Sequence, residues 1–69
     1  MQINGEFIKL DSFLKAVNAA ASGGEAKILI VEGLVSVNGA VEVRRGRKLR
    51  PGDLVELEGK SYMVEQGEG

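Results

Sequence analysis

The sequence predicts an α+β fold, with two N-terminal helices followed by a small, mainly antiparallel β-sheet. Leu10, Phe13, Leu14, Val17, Ala20 and Ala21 fall within an arc of about 120° at roughly 100° per residue, as in a helix with one apolar face. Ser22-Gly23-Gly24-Glu25 then breaks that helix and opens a second. Asn38-Gly39 stands between the alternating segments 34–37 and 40–43, where a two-residue hairpin turn needs positive φ at both positions.

The first helix is expected over 12–20. Asp11 is its N-cap, because a carboxylate there can accept from free backbone N–H groups. Lys15 and Ala19 lie on its far side. The second helix is expected over 24–32, with Ser22 and Glu25 at capping-box spacing and Gly33 as a left-handed C-cap. Ala26, Leu29 and Ile30 share a stripe with Gly33, while Ile28 and Val31 lie elsewhere on the helix. A helix apolar on more than one side should be covered on more than one side, so a place between helix one and the sheet is expected. Val35 with Val37, and Val41 with Val43, share faces of their strands. Pro51-Gly52 suits a type II turn, and Asp53 is expected to bond back into it. Segments 54–57 and 62–64 complete the sheet. Tyr62 is expected to pack at the rim. The first eight residues are open between strand and loose chain, with Phe7 and Ile8 anchored, and 66–69 are expected to fray.

A chain of 69 residues is expected to form one domain, 1–69, with its core over about 8–65. It sits near the lower limit for a self-sufficient core. With no Cys and no His there are no disulfides, no thiol or His-based nucleophilic machinery and none of the usual zinc sites. The expectation is a non-enzyme with no cofactor and no metal, monomeric, soluble and cytoplasmic, with no membrane partner. The longest apolar run, 28–31, is far too short for a span. The first six residues, Met1-Gln2-Ile3-Asn4-Gly5-Glu6, lack a signal-peptide pattern.

The functional signal is charge placement. Residues 44–50 read Arg44-Arg45-Gly46-Arg47-Lys48-Leu49-Arg50 and carry +5, while 1–43 carry −2 and 51–69 carry −4. A concentrated cation cluster on an otherwise acidic chain is a place for an anionic partner to dock. Arg offers a planar donor fork that matches phosphate. Gly46 lets the backbone bend toward an anion. The bland alternative is a solvated loop whose arginines pair with surface glutamates. Lys9 and Lys15, taken alone, read as solvent-facing helix lysines, and Lys27 as a residue covering apolar surface with its stem.

The order Lys9-Leu10-Asp11-xx-Leu14-Lys15, then Gly24-Glu25-Ala26-Lys27-xx-Ile30-xx-Gly33-xx-Ser36-Val37-Asn38-Gly39, then residues 44–53 and Val55 resembles the S-four RNA-binding domain, or alpha-L RNA-binding motif. The likeness covers about 8–58. The small size is similar to free-standing bacterial members such as the YaaA and YbcJ groups. The resemblance implies two packed helices followed by a small, bent sheet. It also implies non-catalytic binding of structured RNA, ribosomal or transfer RNA, in ribosome assembly or translation, with ribosomal particles as a further partner. The positions matching the family's RNA face are Lys9, Lys27, Arg44, Arg45, Arg47 and Lys48, with Lys15 and Arg50 beside them. Many members carry a basic pair entering helix two, where this chain has Ser22-Gly23-Gly24.

Phosphate clamping through this loop gives one concrete expectation. Arg44→Glu with Arg47→Glu should abolish RNA retention with little change in melting temperature. Two other readings compete. One is a module docking an acidic protein. The other is a ubiquitin-like sulfur carrier, which shares a Val-Asn-Gly turn but needs a terminal Gly-Gly where this chain ends Gly67-Glu68-Gly69.

Overall fold

The computed structural model describes residues 2–3 and 7–66. The elements in chain order are β1 (Gln2–Ile3), β2 (Ile8–Lys9), α1 (Leu10–Ala16), α2 (Gly23–Val31), β3 (Val35–Val37), β4 (Ala40–Val41), β5 (Lys48–Leu49), β6 (Leu54–Leu57), β7 (Lys60–Met63) and β8 (Glu65–Gln66). This is the expected α+β order. A four-stranded antiparallel sheet runs β4-β3-β6-β7. Two short pairs accompany it: antiparallel β2 with β5, and parallel β1 with β8. None of the described helices is long and apolar enough to cross a membrane.

Helix α1 differs from its sequence reading at both ends. Asp11 is not the N-cap of α1. Lys9 occupies that position with no side-chain cap, and the Asp11 carboxylate accepts from the Ser12 N–H, 2.8 Å away. Two helix-start N–H groups, those of Leu10 and Asp11, donate instead to the carbonyls of Arg47 and Arg45, at 2.9 and 3.1 Å. The helix also stops at Ala16 rather than Ala20. Asn18 takes a left-handed φ of 60°, which Asn tolerates better than most side chains. The N–H groups of Ala19 and Ala20 then turn back to the Leu14 carbonyl. Ala20 is buried through that turn, and Ala21 is exposed.

Helix α2 starts as its sequence says, with the Ser22 hydroxyl accepting from the Glu25 N–H at 3.1 Å. Gly33 follows it at φ 78°. Helix α2 packs on α1 and buries Ala26 and Ile30. Among the described residues the expected second cover is absent, since Ile28 and Val31 are 61% and 57% exposed.

The core joins Leu10, Phe13 and Leu14 of α1 to Ala26, Ile30, Val35, Val37, Leu49, Val55, Leu57 and Val64. Each fully buried aliphatic or aromatic side chain contributes about 1.5–3 kcal/mol relative to exposure. Tyr62, opposite Val55, meets Phe13 edge-on at 6.5 Å and 81°, so it packs at the rim as expected.

Two further findings revise the sequence reading of the strands. Lys48 and Leu49 form β5, with Leu49 opposite Ile8 and Lys48 opposite Lys9, so two residues of the basic stretch are strand rather than loop. Gln66 pairs with Ile3 rather than fraying. Met1, the segment 4–6 and the closing 67–69 lie outside the described residues.

Candidate functional site

The basic stretch is held from three directions. Its start is set by the Asn38-Gly39 turn, at φ 52° and 84°. Its end is set by the turn at Gly52, φ 98°, where the Arg50 N–H donates to Asp53 Oδ2 at 2.8 Å. That bond holds the Asp53 carboxyl below its usual range, and the Asn38 side chain adds to the effect. Its middle is fixed by the backbone bonds to the start of α1. Asn38 is more than a turn residue. Its side chain donates to Asp53 Oδ1 at 3.0 Å and accepts from the Leu54 N–H at 2.9 Å, which ties the two turns together.

With the backbone so fixed, Arg44, Gly46, Arg47, Lys48 and Arg50 line one concavity of about 530 Å³. Lys9 stands directly opposite Lys48 in the β2–β5 pair. Lys48 extends its ammonium over the Phe7 ring, 4.8 Å from the centroid. Arg45 is exposed, and among the described residues its side chain has no hydrogen-bonding or ionic partner. Lys15 lies in the last turn of α1, and its Cδ is 3.9 Å from where a Cβ on Gly23 would stand, so its stem runs beside the start of α2. Lys27 is placed apart from the loop. It lines a second, more apolar concavity of about 340 Å³ with Gly24, Ile28, Val31 and Glu32.

The residue that sequence reading passed over is Glu42. It is the one buried charged residue among those described, at 6% exposure. Its Oε2 accepts from the Arg44 backbone N–H at 3.1 Å and from Arg44 Nε at 3.0 Å. Its Oε1 accepts from Arg44 Nη2 at 3.0 Å and from Arg47 Nη1 at 2.8 Å. The Arg44 and then the Arg47 side-chain hydrogen bonds hold the Glu42 carboxyl down at about 2, against a smaller upward push from burial. The Arg44 guanidinium is correspondingly pushed up. No described buried side-chain nitrogen or oxygen is left without a partner.

The bland reading of arginines paired with glutamate therefore holds in part, for Arg44 and Arg47. The signal in the sequence was a lone carboxylate next to a cation run. The alternating pattern hid it by suggesting that Val41 and Val43 point inward. They are 63% and 54% exposed, and Glu42 is the residue turned in. This also corrects the expectation for the Arg44→Glu, Arg47→Glu variant. It would place two new carboxylates against a buried one, so the melting temperature must fall.

Comparison with known proteins agrees with this architecture. The S4 domain profile matches residues 1–65. A Bacillus subtilis (strain 168) protein named "Probable ribosome maturation protein RlbA" is 48% identical over 59 residues, covering 86% of this chain and 83% of the relative. An Escherichia coli (strain K12) protein named "Putative RNA-binding protein YbcJ" is 42% identical over 57 residues, covering 83% of this chain and 81% of the relative. Among solved structures, ribosomal protein S4e from Thermoplasma acidophilum superposes with a TM-score of 0.61 at 23% identity, covering 84% of this chain and 30% of that one. With a matching family profile and two relatives aligned over most of their length, the ubiquitin-like alternative falls away, and the chain belongs to the S4 domain family.

Proposed function

We propose that this chain is a non-catalytic binder of structured RNA, ribosomal or transfer RNA, acting in the cytoplasm in ribosome assembly or translation. The observation that carries the reading is four cations, Arg44, Arg47, Lys48 and Arg50, lining one concavity on a chain of net charge −1. Membership of the S4 domain family and the names of the two relatives support the same direction. Paired RNA presents phosphates and 2′-hydroxyls more readily than base edges, so shape and backbone contacts suit this surface. Aromatic residues make up 4% of the chain, so stacking on bases contributes little. Lys9, opposite Lys48, and the exposed Arg45 and Lys15 are further candidate contacts in this reading, while Lys27 would act from the separate concavity on α2.

The test is retention of fragmented small- and large-subunit ribosomal RNA on the immobilised protein, with a polyglutamate competitor alongside. About four phosphate contacts give a loss of affinity of roughly a hundredfold between 50 and 200 mM salt. Arg45→Glu with Arg50→Glu, which leaves the Glu42 cluster intact, should weaken binding by about tenfold or more at fixed salt. Undiminished retention by that variant, or displacement of RNA by polyglutamate at low concentration, would count against an RNA surface and favour an acidic protein partner.

A further inference from the structure

An acidic side chain at the centre of a phosphate-binding surface should oppose binding. Glu42 sits there, yet its geometry argues the opposite. It engages one edge of the Arg44 fork, Nε and Nη2, and one nitrogen of Arg47, Nη1. Nη1 of Arg44, and Nε and Nη2 of Arg47, make no hydrogen bond to the described residues. Arg44 keeps 72% of its side chain exposed and Arg47 keeps 33%, while the Glu42 side chain is at 8%. The anion is thus withdrawn into the protein and the cations are fixed at the surface. Both arginines line the concavity. The Glu42 backbone is itself held, since its N–H donates to the Val35 carbonyl at 3.0 Å and continues the β3–β4 ladder.

We infer that Glu42 is a positioning residue for the RNA site: its buried carboxylate presents Arg44 and Arg47 with their unbonded guanidinium edges toward phosphate. The inference rests on the RNA-binding reading above. Free arginine side chains lose rotamer entropy when they grip a ligand, and a site that has already fixed two of them loses less on binding. The net effect of Glu42 is to strengthen RNA binding even though it subtracts a positive charge from the surface.

The two accounts predict opposite signs. If charge alone matters, Glu42→Gln raises the surface charge by one and tightens binding. If Glu42 positions the arginines, the same substitution weakens binding by about tenfold, because the amide keeps one acceptor oxygen but sets its NH2 against the donors that the other carboxylate oxygen served, so the two arginines are no longer held together. The measurement is affinity for a labelled ribosomal RNA pool, at a temperature where circular dichroism shows each variant fully folded. Arg44→Lys serves as the second variant, since it conserves charge and removes the fork. It should weaken binding to a similar extent, and the Glu42→Gln, Arg44→Lys double variant should be little weaker than either single. Unchanged or tighter binding by Glu42→Gln overturns the inference while the RNA reading stands. Additive losses in the double variant also overturn it. A wild-type protein that retains no RNA sinks the reading itself, and this inference with it.

Discussion

The two helices begin in different ways. Helix α2 is started by its neighbour in sequence, with the Ser22 hydroxyl on the Glu25 N–H. Helix α1 is started by carbonyls more than thirty residues away, those of Arg45 and Arg47. A local cap stabilises one helix and nothing else. A distant cap makes the helix and the loop that supplies it a single unit. The carbonyls of the basic loop turn inward to α1 while its side chains turn out, so folding of the core and presentation of the cations are one event. The contrast also explains why α1 can be seven residues long without a side-chain cap.

The largest effect should come from reversing the arginines that serve the distant side. Arg44→Glu with Arg47→Glu leaves Glu42 buried among like charges, and we expect it to abolish a cooperative thermal transition in circular dichroism. Leu49→Ala attacks the same unit from within, since Leu49 is fully buried on β5 beneath the loop. It should cost about 2–5 kcal/mol in urea denaturation, and a loss under 1 kcal/mol would show that loop and α1 are not coupled as described.

Acid titration probes the same cluster more gently. The folded Glu42 carboxyl titrates at about 2, below its ordinary 4.5. Its contribution is therefore complete above about pH 4.5 and is lost as pH falls toward about 2. Asp53 is depressed as well and acts with the same sign. Thermal midpoints should fall across that window, and Glu42→Gln should flatten the fall. On the local side, Ser22→Ala should cost about 1 kcal/mol, confined to α2 in amide exchange. Smallest of all, Ile28→Ala on the exposed face of α2 should change stability by less than about 0.5 kcal/mol.

What the sequence revealed follows the same division between local and distant causes. The Ser22 cap, the Asn38-Gly39 turn, the Gly33 terminus and the Pro51-Gly52 turn each depend on residues within a few positions, and each stands where its spacing puts it. The start of α1, the β2–β5 pair and the β1–β8 pair depend on partners far along the chain, and no periodicity carries that information. Asn18 ended α1 early because a left-handed residue overrode an apolar pattern that continued past it. Ile28 and Val31 looked like core because hydrophobicity says what can be buried, not which neighbour is present to bury it. The cations of the candidate site were legible as a group. Their division into arginines held by Glu42 and an Arg45 whose side chain meets no partner among the described residues was not, because the alternation of Val41, Glu42 and Val43 points the valines inward and the structure turns in Glu42.

The clasp between Asn38 and Asp53 closes a ring of chain around the basic stretch, its ends 15 residues apart. Closing a flexible segment of that length costs about 2 kcal/mol of chain entropy, and here the folded protein has met that cost before any partner arrives. Because the cost grows only with the logarithm of length, doubling the ring would add just ~0.6 kcal/mol. The space around Gly46, where an added Cβ would meet nothing within 4 Å, is where such an extension would fit. What limits such an extension is not chain entropy but the Arg45 and Arg47 carbonyls on either side of Gly46, which must still reach the start of α1.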